Sequence, residues 1–196
     1  MDANSTYLSI GNPAIKDMSG LDVVVVPSSN GRQVSAGRYT RDTTAPILEQ
    51  FALNMSSGVL SLTFDETVES TSIVYNGGFV FMASAGGVDY TLLGGSTASE
   101  DGIVLHILLD KNDLDMIKLN EYMATRLNNT EITAKMGSVQ DMRGNNVALT
   151  RLVASAFAQD IVVPTLVDFE FNLNLTLFIL NFDEPVRIST FLPTSL

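Results

Sequence analysis

Four Asn-x-Ser/Thr tripeptides, starting at Asn4, Asn54, Asn128 and Asn174, are the most specific chemical motif in this 196-residue chain. Each is an acceptor for an N-linked glycan if the chain passes through a eukaryotic secretory route. Composition alone would yield about two or three such tripeptides, so their placement carries the argument. Carboxylates are the second theme. The 22 Asp+Glu outnumber the 11 Lys+Arg, leaving a formal charge of −11. Asp42, Asp160, Asp65 and Glu66 are candidate calcium ligands, because calcium takes hard oxygen donors and these residues fall at recurring positions. The run Asp110-Lys111-Asn112-Asp113-Leu114-Asp115 begins like an EF-hand loop. It fails as one, with Leu114 at the fifth position and no Gly at the sixth. Carboxylates at a helix N-terminus, with Asp110 or Asn112 as N-cap, explain the run more simply.

Nucleophilic chemistry has little to build on. The single histidine, His106, sits in the apolar run Ile103–Leu109. It reads as a strand histidine facing water or satisfied at a sheet edge. There is no Cys to supply a thiolate and no Gly-x-Ser-x-Gly elbow. Gly77-Gly78, Gly86-Gly87 and Gly94-Gly95 lack a following Lys-Ser/Thr, so they are turns rather than a phosphate loop. We expect no catalytic residues and no bound cofactor. The acidic balance excludes a nucleic-acid backbone binder and a polybasic membrane-surface protein. No apolar run approaches a membrane span, and the first twenty residues do not read as a signal peptide.

These motifs recur at fixed intervals. Laid over residues 163–189, residues 45–71 match at nine of 27 positions: Pro46, Leu48, Phe51, Asn54, Leu62, Phe64, Asp65, Glu66 and Val68. A second match runs at an offset of 124. It places Asn4-Ser5-Thr6 on Asn128-Asn129-Thr130 and Asp17-Met18-Ser19-Gly20 on Asp141-Met142-Arg143-Gly144. The spacing Asp-x-x-x-Pro occurs at Asp42–Pro46 and again at Asp160–Pro164. The six-residue change of offset reads as a loop-length difference near residues 21–41. The expected organisation is the back part of one repeat in 1–42, a complete repeat in 43–160, and the front part of the next in 161–196.

Within the complete repeat the period is two, as in Leu60-Ser61-Leu62-Thr63-Phe64. The glycine pairs, with Asp101-Gly102, suggest short strands joined by tight turns. One helix is expected over Asp110–Tyr122, with Leu114, Ile117 and Leu119 facing inward. The fold class is therefore all-β: tandem antiparallel β-sandwich repeats with one short inserted helix. Phe51, Leu53, Leu62, Phe64, Phe79, Phe81, Leu105 and Ile107 form the expected core.

Pro-x-Leu-x-x-Phe-x-Leu-Asn followed by Leu-x-Phe-Asp-Glu-x-Val resembles the opening strands of bacterial-type Ig-like repeats, as seen in tandem surface and adhesin proteins. Val139-Gln140-Asp141-Met142-Arg143-Gly144-Asn145 resembles the turn before their last strands. Similar arrays occur in surface-filament proteins of algae and other protists. The resemblance implies a mechanical or spacing role outside the cell or on its surface. The expected partner is a second copy of the chain, joined head to tail, or the next repeat of a continuous polypeptide. An alternative is a carbohydrate-binding or accessory module of a larger secreted protein. Its glycan contacts would come from Tyr7, Tyr39, Tyr75, Tyr90 and Tyr122, since Trp is absent.

Overall fold

Strands dominate residues 2–192, the part that the computed structural model describes, and helices are few. Met1 and residues 193–196, at the outer ends of the segments 1–42 and 161–196, lie outside the described residues. The chain divides into two units, Met1–Thr44 and Ala45–Leu196.

In the first unit, β1 (Tyr7–Leu8) pairs antiparallel with β2 (Arg32–Gln33), and bridges join Ile10 to Val26 and Lys16 to Asp22. A turn closes around Asp17, whose Oδ1 accepts the Ser19 and Leu21 amides at 2.9 Å each. Gly20 completes it at φ +83°, a conformation that costs glycine nothing.

Among its described residues the second unit contains ten strands: β3 (Leu48–Asn54), β4 (Val59–Val68), β5 (Phe79–Phe81), β6 (Tyr90–Thr91), β7 (Gly102–Leu108), β8 (Glu131–Ala134), β9 (Thr150–Val153), β10 (Ala156–Ala158), β11 (Leu166–Asn172) and β12 (Leu177–Phe182). Two four-stranded sheets form, ordered β10-β3-β4-β7 and β6-β5-β8-β9, and β11 pairs with β12 alone. Among the described residues every strand pair is antiparallel except β10 with β3, which is parallel and which sequence reasoning did not anticipate. Period-two alternation places Phe51 opposite Leu62 and Leu62 opposite Leu105. In the other sheet, Phe79 and Phe81 lie opposite Ala134 and Ile132. All eight expected core residues are buried, and residues from both sheets form one cluster. Each such side chain contributes roughly 1.5–3 kcal/mol of burial.

Some expectations fail. β5, β6 and β7 are linked by the longer loops 82–89 and 92–101 rather than by tight turns. Gly77, Gly86 and Gly95 take positive φ, but Gly102 simply begins β7. The helix is Lys111–Leu119, shorter than expected, and Asp110 makes no side-chain cap bond. Ile117 is buried and Leu114 packs on the core, whereas Leu119 points into water.

The β3–β4 hairpin is built a second time as β11–β12. Leu48 faces Phe64 and Phe51 faces Leu62; likewise Leu166 faces Phe182 and Phe169 faces Leu180. Both ladders slip at one place, between Leu48 and Gln50 and between Leu166 and Asp168. The Asp65 carboxylate accepts the Ile47 amide at 2.7 Å, and Asp183 accepts that of Thr165 at 2.7 Å. A 3-10 turn follows each hairpin, at Ser70–Ser72 and at Ile188–Thr190. One property differs: Phe51 is 1% exposed and Phe169 is 62% exposed.

Residues 2–26 are likewise built like 126–150. The Thr6 hydroxyl donates to the Asp2 carbonyl at 2.8 Å, as Thr130 does to Arg126. Asp141 holds its turn as Asp17 does, accepting from the Arg143 and Asn145 amides at 2.7 and 2.8 Å, with Gly144 at φ +79°. Leu8, Ile10 and Val26 correspond to Ile132, Ala134 and Thr150 at an offset of 124, whereas Arg32, opposite Leu8, corresponds to Leu152, opposite Ile132, at an offset of 120. The extra residues enter at the Ser28–Asn30 turn.

Candidate functional site

The most elaborated polar constellation lies where the chain leaves β10 for β11. Lys118, in the last turn of the helix Lys111–Leu119, extends its ammonium between two carboxylates. It lies 2.8 Å from Asp160 Oδ2 and 2.6 Å from Glu184 Oε2. The three side chains are 13%, 26% and 11% exposed, so this is not a rim ion pair. Glu184 Oε1 is buried and, among the described residues, has no hydrogen-bond partner. Burial pulls the Lys118 ammonium down, but the two carboxylates outweigh it and hold it above its ordinary value. Burial pushes Asp160 up, and Lys118 and the Val162 amide outweigh that, holding its carboxyl below the usual range.

Backbone bonds sew the connecting segment to the tip of the β3–β4 hairpin. The Met55 amide donates to Ala158 O at 2.9 Å, and the Ile161 amide donates to Ser56 Oγ at 3.0 Å. Pro164 and Pro185 flank the ion cluster, and a groove of about 320 Å³ runs between Met55, Lys118 and Glu184. Proline fixes φ on both sides. A second pair, Arg187 to Glu121 at 3.0 Å, is well exposed and adds little. The arrangement is an electrostatic tie between the helix and the β11–β12 hairpin. Sequence reasoning missed Lys118. The available signal was its position four residues after Leu114, on the inward face of the helix.

Two of the four anticipated calcium ligands, Asp42 and Asp65, hold backbone amides. Asp42 Oδ1 accepts the Thr44 amide at 2.9 Å. Asp65 is exposed and holds the Ile47 amide, and Glu66 is half-buried beside it in the sequence. At Asp160, a lysine ammonium already occupies the cation's place.

The four glycan acceptors differ in setting. Asn4, Asn128 and Asn174 are exposed, the last in the turn between β11 and β12. Asn54 is half-buried, and its Oδ1 accepts the Ser56 and Ser57 amides at 3.0 Å each. Its counterpart in the second hairpin is Asn172, which accepts the Leu175 amide at 3.0 Å, and not Asn174.

His106 is exposed on β7, an edge strand, with Nδ1 2.8 Å from Ser61 Oγ. Among the described residues no carboxylate bonds the ring, and the Ser61 hydroxyl is its partner. Asp113 stands in the first turn of the helix, as the sequence reading placed it, but its bonds go to another segment. It is buried inside the fold, where it accepts from the Tyr90 hydroxyl at 2.7 Å and from the Leu93 and Gly94 amides at 3.0 Å each. Burial and the Asp113 carboxylate both push the Tyr90 hydroxyl well above its ordinary value. Among the described residues, no helix is long and apolar enough to cross a membrane.

No family model matches the chain, and no curated protein matches it. Among solved structures, the S-layer protein rSbsC(31-844) shows a slight likeness, with a TM-score of 0.38 and 17% identity. The likeness covers 67% of this chain and 16% of that one, so the chain spans about a sixth of that protein's length.

Proposed function

We propose that the chain is a non-catalytic structural element of an extracellular or cell-surface assembly, built from Ig-like β-sandwich repeats in tandem. Residues 1–42 supply the back part of one repeat, 43–160 a complete repeat, and 161–196 the front part of the next. One observation carries this reading: the same registers, the same slip and the same aspartate bonds are built twice. Modules stacked through a constant junction make a rod. The Lys118 tie would set the angle at which the complete repeat meets the next one, and glycans on Asn4, Asn128 and Asn174 would stand out from exposed turns. The array continues either along one polypeptide or from chain to chain.

Antibody labelling of intact, unpermeabilised source cells tests the reading. Labelling of the outer surface, of stalks or of filaments is expected, and staining confined to the cell interior would overturn it. The carbohydrate-binding alternative has one observation in its favour. A groove of about 540 Å³ is lined by Tyr90 and Tyr122 together with Asp89, Asn120 and Glu121. A glycan array without binding removes that alternative.

A further inference from the structure

We infer that the open face of the β11–β12 hairpin in one copy is covered by residues 2–44 of a second copy, which closes a composite sandwich between chains. The inference rests on the tandem-repeat reading and names its partner. Its starting point is a matched pair of exposed half-cores. Leu166, Phe169, Phe171 and Phe178 are exposed, while their counterparts Leu48, Phe51, Leu53 and Leu60 are buried. At the other end of the chain Leu8 is 62% exposed and its counterpart Ile132 is 0% exposed. Ile15 is likewise exposed where Val139 is buried.

The complete repeat shows how such halves meet. Val68 is bridged to Asp141, the Glu69 amide donates to Gln140 O at 2.9 Å, and the Ala148 amide donates to Pro46 O at 3.0 Å. Transposed between two copies, Val186 meets Asp17, the Arg187 amide reaches the Lys16 carbonyl, and the Val24 amide reaches the Pro164 carbonyl. The donors and acceptors agree at each place. Charge agrees as well. Residues 1–44 carry four basic and four acidic side chains, so the entire charge of −11 resides in 45–196. The neutral segment is the part of a neighbour that approaches the acidic hairpin without net repulsion. The contact joins fewer strands than residues 45–160 do, and it depends on concentration. It is also heterologous: each copy offers one half of each kind, and growth need not close.

Two surface variants of the full chain test this, Leu8→Asp at one half and Phe169→Asp at the other. In sedimentation velocity the wild type should more than double its average mass as concentration rises. Each variant alone should stay monomeric, and an equimolar mixture should stop at dimers. A monomeric wild type at every concentration, an unmixed variant that still associates, or a mixture that does not would each overturn the inference. Leu8→Ser and Phe169→Ser repeat the test with smaller perturbations. Hydrogen exchange on the same samples separates the two levels. Slow exchange across 48–68 with no association refutes only the contact between copies, whereas fast exchange there refutes the repeat reading itself.

Discussion

Replacing Lys118 by Met keeps most of the aliphatic stem and removes the ammonium from between Asp160 and Glu184. Two carboxylates, 26% and 11% exposed, are then left facing each other without a cation. Removing one partner of a fully buried ion pair costs about 3–5 kcal/mol, and an exposed pair is worth about 0–1. The partial exposure here places the cost at about 2–3 kcal/mol, levied on docking of the β11–β12 hairpin rather than on the central core. At 1.4 kcal/mol per factor of ten, the junction should open about 30- to 150-fold more often. The Ile161 amide bonds Ser56 Oγ on the β3–β4 hairpin and the Val162 amide bonds Oδ1 of Asp160 itself, so both report that opening. Hydrogen exchange should accelerate there while the amides of β3 and β4 keep their rates. Adding Asp160→Asn and Glu184→Gln to the Lys118→Met chain should restore most of the protection, since no charge then lies uncompensated. Unchanged exchange at Ile161 and Val162 in the single variant would refute the reasoning, as would no recovery in the triple variant.

The same junction should loosen at both ends of the pH scale. Asp160 is held below its ordinary value, so its contribution is full above about pH 4 and is lost as pH falls through its folded pKa. Lys118 is held above its ordinary value, so its contribution is full below about pH 10 and is lost as pH rises through its folded pKa. Exchange at Ile161 followed from pH 3 to pH 11, corrected for intrinsic rates, should show a plateau between these limits. Asp113→Asn either reverses the Tyr90 bond or sets an NH2 donor against the Leu93 and Gly94 amides, and should lower stability by about 1–3 kcal/mol in urea unfolding. Asp110→Asn, at a position without a side-chain cap bond, should change it by less than about 0.5 kcal/mol. In chain secreted from eukaryotic cells, peptide mass mapping should find glycans on Asn4, Asn128 and Asn174 and a bare Asn54, whose carboxamide holds its own turn.

Short-range alternation was legible in the residues. Leu60, Leu62 and Phe64 declare a buried face because a strand turns every second side chain the same way. The second hairpin was legible because Asp65 and Asp183 each close a local loop, a role that local spacing encodes. What escaped lies across long separations. Lys118 meets Glu184 66 residues later, and nothing in the helix itself says that its last turn faces another hairpin. Asp113 was read correctly into the helix's first turn, but its bonds to Leu93 and Gly94 escaped, because backbone amides leave no mark in side-chain type. Leu119 was expected inside for its apolar side chain, but it stands two residues after Ile117, about 200° round the helix, and so faces water. The parallel return of β10 onto β3 was invisible because three alanine-rich residues carry no directional signal.

The central claim is that residues 166–182 rebuild the module of residues 48–64. Long-range proton contacts measured by NMR on the full chain address it most directly. Contacts pairing Leu166 with Phe182 and Phe169 with Leu180, in step with Leu48–Phe64 and Phe51–Leu62, are predicted. A different pairing in the second segment, or no hairpin there at all, would contradict it.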